Sequence, residues 1–156
     1  MKCVPSTPNS PSTCSNGAVR RASRRMAQIY DEAFAPFGLK ATQYSLMNHI
    51  AQADAPKMRD LAQSLVMDLS ALGHTLKPLV RDGLVLVQVD ELDRRSRRVL
   101  LTEAGQRKYE EARVVSKQMA VRFDEAFGVQ AACELRKAMD FIASDDFART
   151  LLGKSA

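Results

Sequence analysis

With 156 residues, 46% of them hydrophobic and 26% charged, the chain has the make-up of one folded domain with room for a core, which excludes a predominantly disordered polymer. Lysine and arginine exceed aspartate and glutamate, leaving a formal charge of +5 that is compatible with a nucleic-acid partner without requiring one. No apolar run approaches the roughly 18 residues of a membrane span, so no membrane partner is expected.

The first sixteen residues are rich in Ser, Pro, Thr and Asn and read as a disordered tail with no apolar leader segment, pointing to a cytoplasmic protein. Three scattered cysteines, Cys3, Cys14 and Cys133, form no disulfide framework, which fits a reducing compartment. From residue 17 to 156 a single domain is expected. Val19, Ala22, Met26, Ile29 and Ala33 recur at helical spacing over residues 18–35, and Pro36 and Gly38 end that helix. A second helix is predicted from a Thr42 cap to about residue 53, buried through Leu46, Met47 and Ile50, with a turn at Asp54-Ala55-Pro56.

Met58, Leu61, Ala62 and Leu65 then share a face of a short third helix. Asp68 is a good cap for a fourth, over residues 68–82, with Gly83 placed to end it in the left-handed region. The β-prone runs 84–89 and 97–101 flank a polar turn, residues 90–96, and Thr102 opens a long helix to about residue 127. Two short helices, a tight turn and a hairpin with a basic tip spell a winged helix-turn-helix core over residues 40–101. The fold class is therefore mainly α with a small β-hairpin wing (α+β).

Beyond Gly128, a helix over residues 130–143 presents Leu135, Ala138, Met139 and Ile142, followed by a short helix with Phe147 and Leu151. Cys133 reads as a small core residue. The helices at 18–35 and 102–152 carry apolar stripes that the compact core leaves over, and such stripes usually meet a second subunit.

On the fourth helix, Ser70, Ala71, Gly73, His74 and Lys77 are the residues placed to face a groove. A serine bonds a phosphate or base edge, and an alanine meets a thymine methyl. Gly73 costs about 1 kcal/mol relative to alanine inside a helix, which suggests close approach of another group there. Pro78 should bend the helix, because it lacks an N–H and its ring collides with the His74 carbonyl. In the hairpin, strand alternation sends Arg95 and Arg97 one way, Arg94 and Arg98 the other.

Leu61-Ala62 with Leu65, Asp68 with Ser70, Gly83-Leu84-Val85, Asp90 with Asp93-Arg94-Arg95, and Leu101-Thr102 with Gly105 follow one another at a spacing that resembles the DNA-binding core of MarR-type transcriptional regulators. The resemblance implies a homodimer that binds a pseudo-palindromic double-stranded DNA operator and represses transcription. By the same resemblance Arg95 is the wing-tip arginine that enters a minor groove, Asp93 orients it, and Arg94 and Arg97 reach phosphates. His74 stands where many such sequences carry arginine, implying an altered operator preference.

The family commonly binds a small aromatic or phenolic effector between its dimer helices and DNA-binding lobe, for which Met26, Tyr30, Phe34, Tyr44, Met47 and His49 are the candidates. Some members sense hydroperoxides through a cysteine at the start of the first helix. That pattern falls on Asn16 here, two residues beyond Cys14, so a redox-sensing regulator using Cys14 is one alternative. A non-specific architectural DNA binder is another, and a winged domain for protein contact a third. His49, His74 and the cysteines have no metal-ligand spacing, and no phosphate loop or nucleophile motif is present, so no metal, cofactor or enzyme activity is expected.

Overall fold

The computed structural model describes residues 14–153. Its first helix, α1 (Ser15–Phe34), begins earlier than expected, with Cys14 as the cap whose Sγ accepts the Gly17 N–H at 3.4 Å. Residues 15 and 16 are thus helical and not part of a tail. Small polar residues suit a first turn, whose N–H groups need outside acceptors anyway. The rest of the expected tail, including Cys3, lies outside the described residues.

After α1 comes a single 3-10 turn, Ala35–Phe37, closed by Gly38 at φ 65°. The second helix, α2 (Ala41–Ala53), starts from Lys40 and not from Thr42. Its first amides are satisfied from elsewhere: Lys40 N–H donates to Gln43 Oε1 at 2.8 Å and Ala41 N–H to Asp31 Oδ1 of α1 at 2.7 Å. That tertiary acceptor overrides the local cap preference of threonine and locks α1 to α2.

The helix-turn-helix is α3 (Met58–Ser64) and α4 (Leu69–Arg81). Asp68 caps α4 by accepting the Ala71 N–H at 2.7 Å. Leu72, Leu76 and Leu79 are buried along one side of α4, which runs unbroken through Pro78. Gly83, at φ 69°, ends it. The wing pairs β1 (Val85–Val89) with β2 (Arg97–Leu101) antiparallel, in the register Val85 to Leu101 through Val89 to Arg97. Val85 and Val99 turn into the core.

Thr102 joins the wing to α5 (Glu103–Phe127), its Oγ1 accepting the Gly105 N–H at 3.0 Å and donating to the Gly83 carbonyl at 2.6 Å. Phe34, Tyr44 and Tyr109 stack in the core with centroids 4.4 and 5.9 Å apart. The chain closes with α6 (Val129–Ile142) and α7 (Asp145–Leu151), the latter capped by Ser144. After Ala112, the one fully buried residue among those described is Ala132. Cys133, expected in the core, is only half-buried because the neighbouring Ala132 holds the inward position on α6. Val114, Val121, Phe127, Val129, Phe141, Ile142, Leu151 and Leu152 are exposed.

Candidate nucleic-acid interface

The burial of Leu72, Leu76 and Leu79 against the core turns the other side of α4 outward. Ser70, His74 and Lys77 form an exposed row at helical spacing, with Ala71 and Gly73 half-buried beside it. Nothing lies within 4 Å of where a Gly73 side chain would start. The close approach expected there is not made by the chain itself. Gly73 instead opens an apolar recess of about 540 Å³ between α4 and the hairpin, lined also by Met58, Leu76, Pro78 and Val87.

The wing tip is built on two aspartates. Asp90 is 1% exposed, accepts the Leu92 and Asp93 amides at 3.0 and 2.8 Å, and is ion-paired with Arg98. The polar turn read from the sequence thus contains a buried charge. Burial pushes this carboxyl up, but the bonds from Arg98, Asp93 and Leu92 outweigh it and hold it below its ordinary range. A carboxyl so depressed stabilises the fold above the unfolded carboxylate range, and that contribution is lost as pH falls through the folded value.

Asp93 accepts the Ser96 hydroxyl at 2.6 Å and the Arg95 backbone N–H at 3.1 Å. Those bonds, with Lys57 nearby, keep its carboxyl below the usual range against the effect of burial. What Asp93 holds in this structure is the backbone of the tip, through the Ser96 hydroxyl and the Arg95 amide, and not the Arg95 guanidinium. Arg94 and Arg95 project into solvent, as does Leu92 at 93% exposure. Arg98 points inward. Its Nη1 donates to the Ala55 carbonyl at 2.8 Å.

Between the wing and the start of α3 lies a cleft of about 570 Å³ whose charged walls are Lys57, Arg59, Asp60, Asp93, Arg95 and Arg97. Lys57 and Arg59 were missed in the sequence. They flank Met58 in the chain, but only a tertiary contact, the Val99 N–H donating to the Pro56 carbonyl at 3.0 Å, brings them beside the wing arginines.

A separate open cleft of about 280 Å³ lies between α1 and α2 and brings together Met26, Tyr30, Phe34 and Tyr44 with Ser45 and Asn48. Met47 and His49, expected there, are elsewhere. Met47 is fully buried in the core, and a His49 ring nitrogen bonds the Ser45 carbonyl at 2.8 Å. Helical geometry explains this, since Tyr44, Ser45 and Asn48 share the face turned to α1 while positions 47 and 49 turn away. Burial, then the neighbouring Tyr44, raises the Tyr30 hydroxyl above its ordinary range, opposed by Arg136. Tyr109 donates to Asn48 Oδ1 at 3.0 Å behind the cleft.

Cys14 is exposed at its cap position. Sulfur is a weak acceptor, so Cys14→Ser should raise thermal stability slightly, by less than about 1 kcal/mol, and leave DNA binding intact. A peroxide-induced loss of DNA binding that vanishes in this variant would instead make Cys14 a sensor. Among the described residues no cluster of His, Cys, Asp and Glu could hold a metal ion, and no helix is long and apolar enough to cross a membrane.

Residues 39–96 match the model of the MarR family. An uncharacterized HTH-type transcriptional regulator of Bacillus subtilis, YwoH, is 27% identical over 96 residues, which is 62% of this chain and 69% of that protein. Among solved structures, the M. tuberculosis transcriptional regulator MOSR in complex with DNA is 27% identical with a TM-score of 0.77, over 86% of this chain and 97% of that one. CouR from Rhodococcus jostii RHA1 bound to p-coumaroyl-CoA shares the fold at 23% identity and a TM-score of 0.73, over 87% and 96% of the two chains. The family match falls on the helix-turn-helix and the wing tip, and the fold around them is shared nearly end to end: residues 39–96 carry a MarR-type DNA-binding domain, set in the fold of MarR-type transcriptional regulators.

Proposed function

We propose that the chain acts as a cytoplasmic homodimer that binds a pseudo-palindromic operator and represses transcription until a small aromatic ligand releases it. The observation that carries this reading is the rigid wing tip with Arg94 and Arg95 outward, beside the exposed row Ser70, His74 and Lys77. In this arrangement α4 enters a major groove, Arg95 reaches the flanking minor groove, and Arg94 and Arg97 contact phosphates. Half-sites lie one helical turn apart, roughly 34 Å. Arginine suits a narrow minor groove because it is more weakly hydrated than lysine. The DNA complex of MOSR supports the partner, and the p-coumaroyl-CoA complex of CouR supports an aromatic effector. The α1–α2 cleft, walled by Tyr30, Phe34 and Tyr44, is the place proposed for it.

The test uses a duplex recovered by in vitro selection with the full chain, beside a scrambled duplex. Arg95→Ala should weaken binding to the selected duplex by roughly 1–3 kcal/mol and leave nearly unchanged its salt dependence, which runs at about −0.9 per phosphate neutralised. Arg94→Ala should cost less and act on both duplexes alike. Fluorescence anisotropy showing Arg95→Ala equal to the parent on both would sink the assignment, and a parent that protects no discrete site would favour a non-specific binder.

The dimer is proposed from the apolar surface of α1, α5, α6 and α7. Val114, Val121, Phe127 and Phe141 stand exposed on helices that bury little within the single chain. Sedimentation at micromolar concentration should give twice the chain mass of 17.3 kDa. A stable folded monomer there would contradict the assembly.

A further inference from the structure

The Arg98 guanidinium bonds in two directions. On one side it pairs with buried Asp90, whose carboxylate holds the Leu92 and Asp93 amides of the wing tip. On the other it donates to the Ala55 carbonyl at 2.8 Å, next to the bond from Val99 N–H to the Pro56 carbonyl at 3.0 Å. Lys57 pairs with Arg98 in an isolated antiparallel bridge. The segment held in this way is the turn that leaves α2. It is strained, because Asp54 and Ala55 sit at φ 48° and 61°, in the left-handed region where a Cβ is disfavoured. Two successive residues of that kind persist only where the surroundings over-determine them.

We propose that Arg98 is a positioning residue for DNA recognition, tying the end of α2 to the wing tip so that the orientation of α2 sets the reach of Arg94 and Arg95. The proposal rests on the reading above, that the wing contacts DNA. The connection is continuous. The helix α2 carries Tyr44, Ser45 and Asn48 on the wall of the α1–α2 cleft and ends at the strained turn. The Ala55 carbonyl accepts from Arg98, Arg98 pairs with Asp90, and Asp90 fixes the amides that start the tip. A shift of α2 is therefore passed on through directional bonds and not lost in a slack loop. A molecule seated in the α1–α2 cleft that turned α2 would move the wing by the same tie. The doubled arginine in β2 divides its work accordingly, Arg97 facing the basic cleft and Arg98 spent inward.

Arg98→Lys isolates the tie. Lysine retains a charge for Asp90, but its ammonium lacks the planar fork that spans the carboxylate and the Ala55 carbonyl together. Anisotropy of the full chain is measured on the selected duplex and on a second duplex changed only at the base pairs flanking its half-sites. The parent should discriminate between the two. Arg98→Lys should lose about fivefold or more of that discrimination, with the unfolding midpoint close to the parent's. Ala55→Gly gives a second reading that needs no loss of charge: it keeps the carbonyl and relieves the strain. It should hold or raise the midpoint while also losing flank discrimination. Full flank discrimination in both folded variants overturns the tie and leaves the DNA reading standing. A parent that binds no selected duplex overturns the DNA reading, and the tie with it.

Discussion

Replacing Gly105 with alanine should cost the fold about 3 kcal/mol or more, the upper end for forcing an extra methyl into a packed site. Its Cβ would lie 1.9 Å from the Leu84 carbonyl oxygen and 2.9 Å from the carbonyl carbon, both backbone atoms that no rotamer change removes. The same carbonyl accepts the Thr102 N–H at 3.1 Å, so the entry to β1 cannot lift away without also losing the junction with α5. The sign makes the test sharp. Helix propensity alone would have the change gain about 1 kcal/mol. Thermal unfolding should instead show the midpoint falling by roughly 10 °C, and an unchanged or raised midpoint would mean that α5 does not start against Leu84.

Phe34→Ala should cost about 3–5 kcal/mol, the range for emptying a buried aromatic site. The ring is fully buried and packs between Tyr30 and Tyr44, with centroids 5.8 and 4.4 Å away. Aromatic pairs of this kind add about 0.5–1.5 kcal/mol beyond the area they bury. Phe34→Leu, which refills most of the volume, should cost distinctly less. Urea unfolding of the two variants checks the order. If alanine and leucine were equally mild, the packing of Phe34 between Tyr30 and Tyr44 would contribute little to the stability of the core.

That residue also shows where sequence reading reaches its limit. Apolar spacing identifies Phe34, Tyr44 and Met47 as inward-facing, but it does not separate the side chains that end at a cleft from those that end inside the core. Tyr30 lines the cleft and Met47 is sealed in, and the difference is set by how α1 crosses α2. The helix-turn-helix, by contrast, was legible because its signals are local. Asp68, Gly83 and Thr102 act within a turn or so of where they stand, and all three are found in the positions expected.

The wing was half legible. Its strands and outward arginines follow from alternation and turn composition. The burial of Asp90 does not, since an aspartate beside Glu91 in a polar turn gives no sign that Arg98 will cross the hairpin to meet it. Lys57 and Arg59 were missed for the same reason, because their place beside Arg95 and Arg97 depends on a bond between segments far apart in the chain. The start of α1 was misplaced through composition. Ser15 and Asn16 look like tail residues, and nothing local marks Cys14 as a cap.

The turn at the wing tip divides its residues into two sets that natural variation can treat differently. Asp90, Asp93, Ser96 and Arg98 supply the side-chain bonds that hold it. Glu91, Leu92, Arg94 and Arg95 are exposed and use none of their side chains for that purpose. Mutations in the second set can therefore accumulate and alter which sequences are recognised while the frame that displays them persists. Insertions and deletions have no such freedom, because each aspartate bonds amides at fixed offsets along the chain. Descendants of this protein can explore new targets by exchanging letters at the tip, but not by changing its length.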